Sequence, residues 1–228
     1  MPLHSLTPLA GGPLLGRWHL TETPAELWPQ LAQAAEYAPL LPARADGPRQ
    51  AQWLAGRVLV QQLLAAAGAP LAALRNDEAG RPFLLGPGPR PAVSLSHSGE
   101  WVVALLAPAG TAVGIDIEMV RDKAQRLARK FLNEQEAAVL ESITLAESAG
   151  LQAQQELYSL LWSAKETLYK LANRRGLIFR DNLLLDLPAG AWPVPGTLPA
   201  RLAVNGTISR HQICYLRPAA GYVLTYCC

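Results

Sequence analysis

The strongest constraint on the fold is a long helical pattern in the second half of the chain. Between about Leu151 and Asn173, apolar residues recur at spacings of three and four, which is typical of one buried face of an α-helix. Glu166 and Lys170 lie off this face and share a side of the predicted helix with Trp162. Taken alone, Glu166 and Lys170 are explained by a surface ion pair. The apolar face consists of Leu157, Leu160, Leu161, Ala164, Leu168 and Leu171.

An alternating segment, Val-Gly-Ile-Asp-Ile-Glu at residues 113–118, precedes this helix and predicts a β-strand. Because side chains alternate between the two faces of a strand, Gly114, Asp116 and Glu118 share one face. Gly114 has no side chain, so we expect that a ligand approaches the backbone closely there. A lone pair of carboxylates of this kind is equally typical of a solvated face. The buried face of the strand is expected to consist of Val113, Ile115 and Ile117.

Together the two segments supply the groups of a metal site that holds a phosphorylated ligand. Magnesium prefers hard oxygen ligands, and it is usually bound by carboxylates together with phosphate oxygens and water. Asp116, Glu118 and Glu166 are therefore the candidate ligands of magnesium, or of manganese in its place. A lysine is a point charge suited to phosphate, which makes Lys170 the candidate phosphate contact.

The chain contains five notable segments, namely Ala55–Arg57, Gly80–Pro82, Ser94–Ser98, Val113–Glu118 and Trp162–Lys170. In order and spacing, they resemble the signature segments of the 4′-phosphopantetheinyl transferases of the surfactin-synthetase-activating (Sfp) type. The resemblance covers roughly residues 53–170. The chain departs from the family pattern at Thr167, where Ala or Ser is usual, and carries Arg81 where lysine is common.

The resemblance implies an α+β fold of two similar α/β halves, related by a pseudo-twofold, with the active site in the cleft between them. Residues 1–110 are expected to contribute to coenzyme A binding, and residues 111–228 to the metal site and carrier binding. The first half is predicted to contain strands near Leu14–Leu20, Ala92–Ser96 and Trp101–Ala107, and helices near Pro24–Tyr37 and Gln50–Ala67. The second is predicted to contain the strand ending at Glu118, a basic helix, the long helix, a loop at Leu187–Pro199, and strands near Leu183–Leu187, Arg201–Val204, Gln212–Leu216 and Tyr222–Cys227.

The activity that the resemblance implies is magnesium-dependent transfer of 4′-phosphopantetheine from coenzyme A to a serine of an apo carrier protein. The carrier is an acyl, peptidyl or aryl carrier domain, and adenosine 3′,5′-bisphosphate is released. Glu166 and Lys170 are the implied catalytic residues, with Glu166 as the base. The implied coenzyme A contacts are Arg57, Arg81, Ser96, His97 and Lys170.

Two other functions remain compatible with the same residues. One is a magnesium-dependent phosphohydrolase of nucleotides or pyrophosphates, and the other is a non-catalytic module that binds coenzyme A or a carrier. Single residues also have alternatives, namely a structural ion pair for Arg57 and a turn-only role for Arg81. Glu136 is either an acidic position of the family or an exposed helical glutamate.

Composition and charge narrow the range of partners, metal sites and cellular locations that fit the sequence. The net charge of +2 does not require nucleic acid, and the apolar stretch at Val58–Leu74 is too interrupted for a membrane span. Three cysteines are too few and wrongly spaced for a zinc site or a disulfide framework, so a reducing cytoplasm is expected. A monomer is expected because two fused halves would contain the whole site. The start of the chain, at residues 1–8, does not resemble a signal peptide. The basic run at residues 121–130 is explained either by a solvated helix face or by an acidic partner.

Overall fold

The computed structural model describes residues 3–42, 47–146, 150–188 and 192–228. The chain forms two compact units, one of Met1–Val113 with Cys228 and one of Gly114–Cys227. Residues 1–2 of the predicted N-terminus and residues 189–191 of the predicted loop lie outside the described residues. No helix among the described residues combines the length and the apolar composition needed to cross a bilayer.

The first unit is built on a four-stranded antiparallel sheet in the order β1-β2-β6-β5, with a separate hairpin of β3 and β4. The long helix α3 packs on this sheet so closely that a Cβ at Gly16 would lie 2.8 Å from Leu59. The elements are β1 (Leu3–Pro8), β2 (Leu14–His19), α1 (Pro24–Leu27), α2 (Ala34–Tyr37), α3 (Gly47–Ala66), β3 (Leu74–Asn76), β4 (Pro82–Leu84), β5 (Ala92–Ser98) and β6 (Trp101–Ala107).

The second unit is built on a five-stranded antiparallel sheet in the order β7-β11-β10-β9-β8. Helix α6 packs on this sheet. Leu161 and Leu168 of its apolar face are fully buried in the core of the unit, and Leu157, nearer the start of the helix, is partly buried. The elements are β7 (Gly114–Met119), α4 (Asp122–Phe131), α5 (Glu134–Ala146), α6 (Leu151–Ala172), α7 (Phe179–Asn182), β8 (Leu183–Leu185), β9 (Gly196–Val204), β10 (Thr207–Leu216) and β11 (Tyr222–Cys227).

The mixed α/β class, the two long helices and the closing strand of each unit are confirmed. The predicted helix at Pro24–Tyr37 is instead two single-turn helices, because the Trp-Pro-Gln segment between them forms a 3₁₀ turn that ends in extended backbone at Leu31. The sequence prediction missed β1, the β3–β4 hairpin and α5. The loop predicted at Leu187–Pro199 is wrong at its end, since β9 begins at Gly196. The pseudo-twofold relation stays a prediction.

β7 and α6 approach each other closely at Gly114. A Cβ at this position would clash with the carbonyl oxygen of Thr167 and lie 3.0 Å from the backbone nitrogen of Leu171. Helix backbone therefore fills the space where the sequence suggested that a ligand would approach, and that expectation is wrong. The missing side chain lets a helix pack directly against a strand, and this contact brings the polar residues of both elements together.

Substitution of Gly114 by alanine should therefore destabilise the protein. We expect Gly114→Ala to lower the free energy of unfolding by about 1–3 kcal/mol, the usual cost of adding a methyl group to a close-packed interior. Gly150→Ala is the control, because a Cβ there meets no atom within 4 Å. Urea unfolding of both variants measures the effect, and equal losses of stability would contradict this account of the packing.

Candidate active site

Two elements of the second unit carry the acidic residues that the sequence singled out. On β7, Asp116 and Glu118 alternate with buried isoleucines and project on the same face as Gly114, toward α6. On α6, Trp162, Glu166 and Lys170 follow one another at intervals of four residues along the side that meets β7. The strand–helix contact thus places Asp116, Glu118, Glu166 and Lys170 in one region.

Lys170 is bound to the strand. Its Nζ donates to Oδ1 of Asp116 at 2.8 Å and to the carbonyl oxygen of Ile115 at 2.9 Å. The ion pair therefore links α6 to β7, and the surface pair with Glu166 that the helix pattern suggested is not the one that forms. Asp116 is only 4% exposed, so the polar face of the strand is buried at Gly114 and Asp116, while Glu118 is half-buried.

Glu118 is held by Trp162, a residue whose role the sequence analysis did not assign. The indole Nε1 of Trp162 donates to Oε1 of Glu118 at 2.9 Å. The indole ring is stacked on Phe179, with centroids 5.5 Å apart, and meets the edge of Phe131 at 5.2 Å. The position of Trp162, one helical turn before Glu166, was the only signal of this role in the sequence.

The carboxylates share one electrostatic environment. Burial, and next the charge of Asp116, raise the pKa of Glu118 to about 7, while the hydrogen bond from Trp162 opposes this rise. Burial and the charges of Asp116 and Glu118 likewise raise the pKa of Glu166 to about 7, with Lys170 and Lys123 acting in the opposite direction. Groups with such perturbed pKa values are typical of functional sites, and a cation between them would relieve the repulsion.

The donor set fits magnesium by its chemistry, since it consists of carboxylate oxygens that repel one another. In the conformations seen, however, no three Asp, Glu, His or Cys side chains of the described residues lie close enough together to hold a metal ion. Asp116 is engaged by Lys170, and Glu118 is engaged by Trp162. The metal-ligand set of Asp116, Glu118 and Glu166 therefore stays a prediction.

The helix segment Trp162–Lys170 contains another lysine, Lys165. It points away from the site and is completely buried. Its Nζ donates to Oε2 of Glu136 at 2.6 Å and to the carbonyl oxygens of Phe131 at 2.7 Å and Phe179 at 3.1 Å. Burial lowers the pKa of Lys165, and the adjacent carboxylate of Glu136 opposes this effect. Glu136 is 2% exposed, so its interpretation as an exposed helical glutamate is wrong.

Thr167, where the family usually has a smaller residue, is accommodated by β11. Its hydroxyl donates to the carbonyl oxygen of Thr225 at 3.1 Å and lies 2.7 Å from the hydroxyl oxygen of the same residue. Ser163, one turn earlier, also lies 2.9 Å from the Thr225 hydroxyl. The departure from the family pattern therefore leaves no buried polar group of Thr167 unsatisfied.

In the first unit, Arg57 is buried on α3 and held by its neighbours. Its guanidinium lies 3.2 Å from the centroid of the Trp53 ring, and it donates to the Trp53 carbonyl oxygen and to Oδ1 of Asn76. Burial lowers its pKa to about 9. The partners of Arg57 are thus an aromatic ring and neutral oxygens, not the carboxylate that a structural ion pair would require.

The other predicted coenzyme A contacts in this unit lie on a turn and on an edge strand. Arg81 ends the turn between β3 and β4, where Oδ1 of Asp77 accepts the N–H groups of Ala79 and Arg81. Ser96 is half-buried and His97 is exposed, and both lie on β5 at the edge of the sheet. Their role as ligand contacts stays a prediction.

Comparisons with known proteins cover both units. Residues 112–227 match the family model described as 4′-phosphopantetheinyl transferase superfamily, and residues 31–107 match the model described as 4′-phosphopantetheinyl transferase N-terminal domain. The 4′-phosphopantetheinyl transferase AcpT of Salmonella typhimurium is 32% identical over 167 residues, which is 70% of this chain and 72% of the relative. AcpT of Salmonella typhi is 33% identical over 165 residues, with the same shares. AcpT of Escherichia coli is 32% identical over 139 residues, which is 58% of this chain and 65% of the relative.

The raised pKa values predict how stability depends on pH in the absence of metal. Between the ordinary value of 4.5 and about 7, folded Glu118 and Glu166 retain protons that the unfolded chain has lost. Their contribution to stability is therefore present below pH 4.5 and is lost as the pH rises through about 7. The double variant Glu118→Gln/Glu166→Gln tests this in the presence of a chelator. Between about pH 5 and pH 8, we expect its melting temperature to fall less steeply than that of the unaltered protein.

The control for this measurement is Glu134→Gln/Glu141→Gln, which removes the same charge from exposed positions on α5. This variant should keep the slope of the unaltered protein. Identical slopes for all three proteins would contradict the assignment of the raised pKa values to Glu118 and Glu166.

Proposed function

The chain belongs to the 4′-phosphopantetheinyl transferase superfamily, and we propose that it transfers 4′-phosphopantetheine from coenzyme A to a serine of an apo carrier protein. The family membership confirms the resemblance seen in the sequence and gives phosphopantetheinyl transfer as the general activity. The donor, the acceptor and the requirement for magnesium belong to the proposal. The match of residues 31–107 to an N-terminal domain model is compatible with the surfactin-synthetase-activating type.

The observation that carries the proposal is the group formed by Asp116, Glu118, Glu166 and Lys170 where β7 meets α6. Asp116, Glu118 and Glu166 would hold magnesium, or manganese, whose positive charge would balance that of the pyrophosphate of coenzyme A. The perturbed pKa values of Glu118 and Glu166 support a site built for a cation. Lys170 adds a positive charge beside these carboxylates and is proposed to stabilise the phosphates.

Glu166 is the proposed base. In the reaction, the serine hydroxyl oxygen forms a bond to the β-phosphorus of coenzyme A, and the bond from that phosphorus to adenosine 3′,5′-bisphosphate breaks. The serine hydroxyl must lose its proton as the new bond forms, and a carboxylate of Glu166 can accept it. Without a bound metal, burial and neighbouring charges raise the pKa of Glu166 to about 7. A carboxylate whose pKa is raised in this way is a stronger base than an ordinary glutamate.

The first unit is proposed to contribute Arg57, Arg81, Ser96 and His97 to coenzyme A binding. Arg81 is only half-buried at the end of its turn, which supports a direct contact with a phosphate. Arg57 is buried against Trp53, so any contact with coenzyme A would involve a guanidinium that is already fixed in place. This division of roles assigns coenzyme A contacts to residues 1–110 and the metal and carrier contacts to residues 111–228.

The proposed setting is the cytoplasm, with the protein as a monomer. Coenzyme A and apo carrier domains are the proposed partners, and neither nucleic acid nor a membrane is among them. Three cysteines are too few for a disulfide framework, which supports a reducing compartment.

The test of the function is incubation of the protein with coenzyme A labelled on its pantetheine part, magnesium and an apo carrier domain. Mass spectrometry should find the label on the carrier serine, and adenosine 3′,5′-bisphosphate should appear in equal amount. A chelator should stop the transfer, and added magnesium should restore it. Free nucleotide without labelled carrier, or bound coenzyme A without turnover, would contradict the proposal.

The variant Glu166→Gln distinguishes a role of Glu166 as a base from a role as a metal ligand only. Glu166→Gln keeps an oxygen that can bind magnesium weakly, but an amide is not a base. We expect kcat to fall by roughly 10²–10⁴, the usual contribution of a positioned base, and to stay low when magnesium is raised. Single-turnover transfer to an apo carrier across a magnesium titration measures this effect.

The matched control is Glu156→Gln, the same substitution on the same helix, at a glutamate that pairs with Arg217. It should transfer at the unaltered rate. Recovery of most of the Glu166→Gln rate at high magnesium would show that Glu166 is a ligand only.

Helix α4 is the proposed docking face for an acidic carrier domain. It carries the basic run of the sequence, and Arg126 is 70% exposed while it pairs with Asp122 in the preceding turn. A groove of about 470 Å³ runs along the helix and is lined by Arg126, Arg129 and Arg180 among others. Glu134 and Glu141 also line the groove, so its three arginines leave it with a small excess of positive charge. This excess supports the acidic-partner interpretation of the run.

Charge reversal on α4 should therefore weaken carrier recognition only. We expect Arg126→Glu/Arg129→Glu to raise the KM for the carrier and to leave the KM for coenzyme A unchanged, most clearly at low salt, because such attraction is screened over about 8 Å at physiological salt. Arg49→Glu/Arg210→Glu, the same change of charge at exposed positions on other elements, is the control. An unaltered carrier KM at low salt would rule out this face.

A further inference from the structure

The structure assigns a positioning role to the buried Lys165–Glu136 pair: it fixes the indole of Trp162 and, through that indole, the carboxylate of Glu118. Lys165 is completely buried, and Glu136 is 2% exposed. The pair would therefore act through the side chains packed around it.

The first step in this chain of contacts involves two phenylalanines, each of which contacts Lys165 through its backbone and Trp162 through its ring. Lys165 Nζ donates to the carbonyl oxygen of Phe131, at the end of α4, and to that of Phe179, at the start of α7. The rings of the same two residues flank Trp162, Phe131 edge-on and Phe179 stacked. The Lys165 ammonium group therefore binds the backbone of Phe131 and of Phe179, and the rings of these two residues pack against the indole.

The second step is the fixation of Lys165 itself. Glu136 accepts the Lys165 ammonium on Oε2, which also accepts the backbone N–H of Asn133 at 2.9 Å. Its other oxygen, Oε1, accepts the backbone N–H of Leu185 at 2.8 Å. The carboxylate is therefore tied to the start of α5 and to β8, and it cannot turn without breaking several charge-assisted hydrogen bonds.

The third step is the hydrogen bond from Trp162 to Glu118. The indole ring is confined by Phe131 and Phe179, so its Nε1 is aimed at Oε1 of Glu118. Glu118 lies on β7, across the strand–helix contact from these aromatic rings. A partner that orients a carboxylate ligand commonly controls how well that ligand binds its metal.

A purely stabilising role explains the pair less well. Buried ion pairs recover little of the cost of removing two charges from water, and apolar residues of similar volume often stabilise as well. What an apolar pair could not do is bind the two phenylalanine carbonyls at fixed distances. The need to fix Phe131 and Phe179 beside Trp162 therefore explains why a charged pair, and not an apolar one, lies at this point in the core.

The direct test is the indole N–H resonance of Trp162 in isotope-labelled protein without metal, assigned by its absence in Trp162→Phe. Lys165→Met removes the ammonium and keeps a similar volume. We expect the resonance to shift and its exchange with water to accelerate, because the rings lose their anchor. Leu198→Ala, a cavity in the same core on β9, should leave the resonance in place while it lowers the melting temperature.

Two outcomes would overturn the inference. One is an unchanged Trp162 resonance in folded Lys165→Met, and the other is an equal change in Leu198→Ala. If Lys165→Met does not fold, Glu136→Gln carries the same test, because it weakens the hold on Lys165 while it keeps the side-chain size. An unchanged resonance in folded Glu136→Gln would also overturn the inference.

The consequence for metal rests on the proposed function, in which Glu118 is a magnesium ligand. In the transfer assay, we expect Lys165→Met to raise the apparent KM for magnesium by about 10–100-fold, the usual effect of losing a partner that orients a ligand, and to leave the KM for coenzyme A unchanged. An equal rise in both constants would contradict a role confined to Glu118. If the unaltered protein fails to transfer, the proposed function is wrong, whereas the resonance still decides the positioning role.

Discussion

The direct contact between β7 and α6 at Gly114 is the interaction on which the site depends. Helix backbone at Thr167 occupies the place of a side chain, so strand and helix pack at a distance that no larger residue at position 114 would allow. Two polar links then form across the contact, from Lys170 to Asp116 and from Trp162 to Glu118. Close packing fixes these pairs, because an interior without voids leaves the side chains few alternative positions.

The same contact has an electrostatic cost. It brings Asp116, Glu118 and Glu166 into a region where water is partly excluded, and burial together with mutual repulsion raises the pKa values of both glutamates to about 7. Lys170 and the indole of Trp162 offset part of this cost. A cation bound beside these carboxylates, as proposed above, would relieve part of this repulsion.

Neighbouring residues of helix α6 face two different environments, the core of the unit and the candidate site. Successive side chains of a helix project about 100° apart, so Lys165 faces the core while Glu166 faces the site. Lys165 and Glu136 organise the ends of α4 and α7 on one side, and Glu166 and Lys170 approach β7 on the other. The packing of the core and the geometry of the site are thus set by adjacent positions of one helix.

The sequence by itself determined β7, α6 and the family motif with its three acidic residues, because alternation and helical spacing depend on neighbours along the chain. Only the tertiary structure decided that Lys170 pairs with Asp116 rather than Glu166, that Glu136 is buried with Lys165, and that Gly114 admits a helix instead of a ligand. These outcomes depend on contacts between residues far apart in sequence. Their energies follow from burial and distance, which no local pattern of residues contains.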